Sequence, residues 1–204
     1  MDEIILMQHC QSEHHINDLS GGWTDTPLTE LGRAQAKQAG NMLKNEINTS
    51  KFKLITSDLL RAFQTAEVIG DCLGLPISVN KKFRERNFGR ATGKTKEWFK
   101  QHLIPIPDKG RLDHIPIEGA ETLREFNQRI ITGLEEVENS KLSKIIIVTH
   151  GGVIPMAMLW WLRLPLEVLD NSGFASRVGG ITKLQVNFDD RRILSILSDV
   201  SHLQ

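Results

Sequence analysis

Cysteine is scarce in this chain of 204 residues, with Cys10 and Cys72 the only two. A pair cannot form the framework that staples small secreted domains, so a reducing, cytoplasmic setting is the expectation. Net charge is lacking as well, since 25 basic residues balance 25 acidic ones. That removes any global pull toward nucleic acid or an anionic membrane and makes a cationic site a local matter. No apolar run approaches the roughly 18 residues of a membrane span, and Asp2 and Glu3 stand where a secretory leader would carry basic residues. Repeats, heptads and low-complexity segments are absent too. A single domain over 1–204 is expected at this length.

What the chain does contain is two short apolar runs that each end in histidine. Ile4-Ile5-Leu6-Met7 leads into Gln8-His9-Cys10, and Ile145-Ile146-Ile147-Val148-Thr149 leads into His150-Gly151-Gly152. Ligand clefts in α/β sheets open at the carboxyl ends of strands, which makes His9 and His150 a candidate catalytic pair. Between and beyond them the pattern alternates. A helix is expected from an N-cap at Thr29 to about Lys44, a strand over 52–56, and a helix capped by Ser57 or Asp58 running to Leu73. A short strand over 77–79, a helix over about 121–137, the His150 strand and an apolar helix over 153–161 follow. The tail, 181–188 and 193–197 around Asp189-Asp190, reads as a hairpin at a sheet edge. Such alternation predicts a three-layer α/β sandwich: a mainly parallel sheet, helices on both faces, and an antiparallel edge.

Imidazole is a nucleophile that is near neutral at physiological pH and can accept a phosphoryl group, provided that donors hold the phosphate oxygens. Arg61, one turn into the helix after the second strand, is the candidate donor, aided by the helix N-terminus. Glu85 sits among cations in Phe83-Arg84-Glu85-Arg86-Asn87-Phe88-Gly89 and is a candidate proton donor. Taken singly, each has a plain alternative: a solvated histidine, a surface arginine, a self-neutralising charged loop. Lys81, Lys82, Arg84 and Arg86 lack the aromatic interleaving of a nucleic-acid groove.

In order along the chain, Gln8-His9-Cys10-Gln11-Ser12, Trp23, Asp25, Leu28-Thr29, Gly32, the 57–66 block, Glu85 with Phe88-Gly89, Gly119-Ala120-Glu121-Thr122 and His150-Gly151-Gly152 resemble the histidine phosphatase superfamily, which includes cofactor-dependent phosphoglycerate mutase. The resemblance implies a phosphoglycerate mutase-like fold and metal-independent hydrolysis of a small phosphate monoester, with no cofactor. It implies His9 as the residue that becomes phosphohistidine, Glu85 as proton donor, and Arg61 and His150 as the clamp on phosphoryl oxygens. Gln8, His15 and Gly22 are implied as further substrate-binding positions. The Glu85–Gly89 segment with Lys94 is also similar to the mutases, whereas the short stretch before Gly119 and the His150-Gly151-Gly152 triplet are closer to the phosphatases. A binder of phosphorylated ligands or partners without turnover is the other alternative.

The chain departs from the family at the site itself. Gln8 replaces an arginine, Cys10 a glycine, and His15 a frequent asparagine. A charge-assisted hydrogen bond contributes roughly 1.5 to 3 kcal/mol, so the loss of that arginine corresponds to about 10- to 150-fold in rate. Arg84, Arg86, Arg90, Lys94, His14 and His15 are the candidate replacement cations, and Cys10 is expected to crowd the phosphate or turn away. A cysteine-dependent phosphatase is disfavoured because Ile16 stands where its arginine is required. A zinc site from His9, Cys10, His14 and His15 is disfavoured because adjacent strand residues face opposite ways. Trp98, Trp160 and Trp161 read as core rather than pocket, with Trp160-Trp161 hinting at a homodimer surface.

Overall fold

The computed structural model describes residues 1–204. Six strands, β1 (Glu3–Gln8), β2 (Phe52–Thr56), β3 (Ile77–Val79), β4 (Lys144–Thr149), β5 (Ile181–Val186) and β6 (Arg192–Asp199), form one sheet in the order β3-β2-β4-β1-β5-β6. The first four run parallel, while β5 is antiparallel to β1 and β6 to β5. This is the expected mixed sheet with its antiparallel edge.

Strand periodicity explains the layers. Alternate residues of a strand face opposite sides, and in β1 Ile5 and Met7 join one apolar cluster while Ile4 and Leu6 join another. β4 divides in the same way, Ile146 and Val148 against Ile145 and Ile147. Both faces are therefore apolar, as a central parallel strand requires. Helices α2 (Glu30–Glu46) and α3 (Leu60–Leu73) cover the first face through Ala36, Ala39, Leu43, Ala66 and Ile69. Helices α5 (Leu123–Asn139) and α6 (Val153–Leu162) cover the second through Phe126, Ile130, Leu134, Ile154 and Met158. Two short helices, α1 (Glu13–Ile16) and α4 (Lys96–Gln101), complete the set and were not expected. Fully burying one such aliphatic side chain contributes roughly 1.5 to 3 kcal/mol.

Local signals set most helix ends. The Thr29 hydroxyl accepts from the Gly32 amide at the start of α2, and Thr122 with Glu125 forms a reciprocal capping box at α5. Gly32 itself is required by contact, because a Cβ there would overlap the carbonyl oxygen of Gln11. That contact seats α2 against the loop that follows His9. Helix α3 corrects the expectation: neither Ser57 nor Asp58 caps it. Leu59 is the N-cap residue, and the carboxylate of Asp25 accepts from the Leu60 amide at 2.6 Å. Ser57 and Asp58 are engaged elsewhere, as described below.

Register decides what meets at the carboxyl edge. Gln8 pairs with Thr149, so His9 and His150 leave adjacent strands side by side. Because β5 runs the other way, its start, Ile181, lies beside Met7, and the preceding loop is delivered to the same edge. No helix is long and apolar enough to cross a membrane. Trp161 is fully buried, with its indole N–H donated to Ile193 O, so it belongs to the core. Neither Trp98 nor Trp160 lines the main cavity.

Candidate active site

His9 is nearly covered, at 3% exposure, and its backbone N–H donates to Thr149 O. Its Nδ1 lies 2.8 Å from the carbonyl of Cys10. A carbonyl only accepts, so Nδ1 carries the proton and Nε2 is left with its lone pair. That lone pair faces Arg61, whose Nε donates to it at 3.1 Å. Burial first, and the Arg61 charge second, hold the His9 pKa well below that of a free imidazole. The ring is therefore a neutral, oriented base or nucleophile at neutral pH.

Arg61 is 1% exposed and fixed by two more bonds, to Thr24 O and Gly22 O, both at 2.7 Å. Burial lowers its pKa to about 10, which leaves it charged. Gly22 thus acts by holding Arg61 as well as by lining the cavity. Its φ of +58° and the closeness of Phe88 and Arg86 O, 2.8 and 2.9 Å from an added Cβ, make glycine the residue for this turn.

His150 is fully buried and is not part of the cavity wall. Its Nε2 lies 2.7 Å from Ser57 Oγ, while its Nδ1 is buried with no partner. The two ring centroids of His9 and His150 are 5.2 Å apart, in an edge arrangement.

Glu85 lines the cavity and is held from both sides. Its Oε1 accepts from the Arg86 amide at 2.7 Å, and its Oε2 from the Gly152 amide at 3.0 Å. Its backbone carbonyl accepts from Trp23 Nε1 and Arg129 Nη2. Arg129 on α5 also bonds Lys82 O, Arg84 O and the carboxylate of Glu121, and so stitches the whole Glu85 loop to the helix.

The replacement cations sort themselves by partner. Arg84 is committed to Asp58 through two bonds of 2.6 Å, and Arg90 to Glu118. Lys94 is exposed, 5.7 Å from the centre of the Trp98 ring. Of the six candidates, Arg86, His14 and His15 line the cavity. The two histidines are not cations at neutral pH. Burial, helped by neighbouring positive groups, lowers His14 to about 3 and His15 to about 4. The Ser12 amide donates to His15 Nδ1 at 3.1 Å, so the ring proton is on Nε2.

Gln8 also lines the cavity, and its Oε1 accepts from Ser176 Oγ at 2.7 Å, which leaves the amide nitrogen as the donor for a ligand. Cys10 turns away: it is fully buried in the apolar cluster beneath α2 and α3, its N–H donates to Thr65 Oγ1, and burial pushes the thiol up to about 12. It shares no site with His9. His9, His14 and His15 do converge, with one ligand atom from each inside 4.8 Å of the others, a grouping that the argument about His9 and Cys10 did not address. The Arg61 guanidinium, aimed at His9 Nε2, opposes a cation there.

Sequence reasoning missed Ser176 and Arg129, and it named Asp25 and Gly152 only as positions of the family resemblance, with no role. Ser176 and Arg129 stand in no motif that marks them.

A neutral, buried imidazole with its lone pair on a fixed arginine, and a carboxylate lining the same cavity, has the chemistry to accept and pass on a phosphoryl group. Comparison with known proteins gives the class. The model of the histidine phosphatase superfamily (branch 1) matches residues 4–198, and the chain belongs to that family. It is a phosphatase of that type. It is similar to a Bacillus subtilis protein called "Uncharacterized phosphatase PhoE", 32% identical with 76% of this chain and 74% of that one covered. It is also similar to "Phosphoglycerate mutase-like protein 4" of Arabidopsis thaliana, 29% identical, covering 99% and 87%. Among solved structures, Bacillus stearothermophilus YhfR superposes with a TM-score of 0.80 at 25% identity, with 99% of each chain covered.

Proposed function

We propose that this protein hydrolyses a small phosphate monoester through a phosphohistidine at His9, without metal or cofactor, in the cytoplasm. The observation that carries the proposal is the His9 tautomer: Nδ1–H is spent on Cys10 O, and the Nε2 lone pair is presented to the cavity under a charged donor.

In the first step Nε2 bonds to phosphorus as the ester oxygen leaves, taking a proton from Glu85. Arg61 transfers its N–H from the lone pair to a phosphoryl oxygen, so its charge acts where negative charge collects. The Nε2–H of His15 and the amide nitrogen of Gln8 are the neutral donors. If the Ser57 hydroxyl donates to His150 Nε2, the His150 proton sits on Nδ1, which leaves an unpaired buried N–H off the cavity wall. In the second step Glu85 takes a proton from water, the water oxygen bonds to phosphorus, and the N–P bond breaks. Mutase-type transfer requires the cavity to hold a second anionic group on the same substrate. Arg86 is the one cation on the wall besides Arg61, which favours hydrolysis.

Release of phosphate from 4-nitrophenyl phosphate in excess chelator tests the proposal, with His9→Ala as control. Turnover abolished in His9→Ala supports it. Turnover that needs an added divalent ion overturns it, and absence of turnover across a panel of esters returns the binding-protein alternative.

A further inference from the structure

The cavity, of about 390 Å³, has two unlike ends. The phosphoryl end is formed by His9, Arg61, Gln8, His14 and His15. The remaining wall carries Phe88, Leu123, Phe126, Met156, Leu169 and Phe174. These six come from four separate places: the Glu85 loop, the first turns of α5, α6, and the segment between α6 and β5. Leu169 and Phe174 are partly exposed and pack on the edge of the second core cluster, so their apolar surface is available to a ligand.

Charge on this wall is limited to Arg61, Glu85 and Arg86. Arg61 is fixed behind His9 by three bonds. Arg86 gives its Nε to Glu121 O and lies 5.9 Å from the centre of the Phe88 ring. A carboxylate on the alcohol part of a substrate would meet apolar side chains, Glu85, and Arg86 as the one cation beside them, whose charge Glu85, Glu121 and Glu125 already offset, so it would lose hydration for a single shared ion pair. An apolar alcohol would gain by burial against Phe88, Leu123, Leu169 and Phe174, the four that keep exposed surface, with the buried Phe126 and Met156 behind them.

We propose that the substrate is a phosphomonoester of an apolar, uncharged alcohol, aromatic or branched, selected by the wall that ends in Leu169 and Phe174, and that carboxylate-bearing esters such as phosphoserine or phosphoglycerate are poor substrates. The inference rests on the hydrolase reading. Gln8 fits it, because a site with one phosphoryl cation fewer draws a larger share of its binding from the alcohol.

The test compares kcat/KM of the full chain for alkyl phosphates, so that none has the advantage of an aryl leaving group: ethyl, 3-phenylpropyl and glycerol phosphate, O-phosphoserine and 3-phosphoglycerate. The expected result is 3-phenylpropyl phosphate at least about tenfold above ethyl and glycerol phosphate, with both carboxylates lowest. Phe174→Ala and Leu169→Ala, at partly exposed positions compatible with folding, each lower the ratio of 3-phenylpropyl to ethyl phosphate by about fivefold or more. A preference for a carboxylate ester, or a ratio unmoved by both variants, overturns the inference and leaves the phosphatase intact. No turnover of any ester, 4-nitrophenyl phosphate included, overturns the hydrolase reading and this inference with it.

Discussion

Replacing Gly152 by alanine is expected to disable the proton donor while sparing the fold. The Gly152 backbone is right-handed helical, at φ −74° and ψ −26°, so alanine meets no backbone strain. Its Cβ would overlap Glu85 Oε1 and stand 3.2 Å from a Phe126 ring carbon. Glu85 Oε1 is the tip of a flexible side chain, so it gives way before the helix does. Moving it breaks the 3.0 Å bond from the Gly152 amide, a charge-assisted contact worth about 1.5 to 3 kcal/mol. It also shifts the carboxyl from the leaving oxygen. General acid catalysis is worth about 10²- to 10⁴-fold, and a displacement near 1 Å can cost about 100-fold. The loss should depend on the leaving group. An alkyl phosphate needs the proton and should slow by about 100-fold, whereas 4-nitrophenyl phosphate departs as a stable anion and should slow by less than about fivefold. Single-turnover rates on both esters, with Glu85→Gln beside Gly152→Ala and thermal melts to confirm folding, make the comparison. Equal losses on the two esters would refute the reasoning, since Glu85 would then serve binding or folding rather than proton transfer.

Other outcomes follow from the same contacts. Gln8→Arg restores a cation at the phosphoryl end and should raise kcat/KM for a common ester by about 10- to 150-fold, read by steady-state kinetics. Gly22→Ala forces a side chain into a positive-φ position against Phe88 and Arg86 O; it should destabilise the fold by about 1 to 3 kcal/mol in urea unfolding and weaken phosphate binding through Arg61. The pH dependence is set by histidines that resist protonation. His9, His14, His15 and His150 all have folded pKa values below the ordinary 6.5. The unfolded chain binds protons at these positions before the folded one does. Their contribution to stability is therefore complete above about pH 6.5 and is lost as the pH falls toward the folded values, about 4 for His15 and 3 for His14. The urea midpoint should drop between pH 7 and pH 4.5, and kcat/KM should show no acid limb at 6.5 from His9. A midpoint that stays level over that range would mean that these rings are not held neutral.

The sheet was legible because its central strands carry their burial in the sequence. Ile4–Met7 and Ile145–Val148 are apolar on both faces, and each run stops at a histidine. The start at Thr29 and the end at Leu73 are helix boundaries that the structure keeps, the second because Gly74 caps it in the left-handed region. The start of α3 was not legible, since its amide partner is Asp25, 35 residues earlier, and proximity in space has no local signature. The same holds for Ser176 and Phe174. They reach Gln8 and the cavity because β5 is antiparallel to β1, a fact of register rather than composition. Within the site, His9, Arg61, Glu85, Gln8, His15 and Gly22 do gather at one cavity, whereas His150 is sealed behind it. Their roles came from the family resemblance, not from the residues alone. Of the six candidate cations only Arg86 stands charged on the cavity wall, because partners and burial are not visible in a count of charges: Asp58 and Glu118 take Arg84 and Arg90, and burial neutralises His14 and His15.

The most direct measurement is to mix the protein with a phosphorus-labelled ester, quench within one turnover in base, and locate the label by mass spectrometry. The account predicts a base-stable, acid-labile phosphoryl group on His9, absent from His9→Ala and longer-lived in Glu85→Gln with 4-nitrophenyl phosphate, since the water step lacks its base. Turnover of the ester with no label on His9 at any time would contradict it.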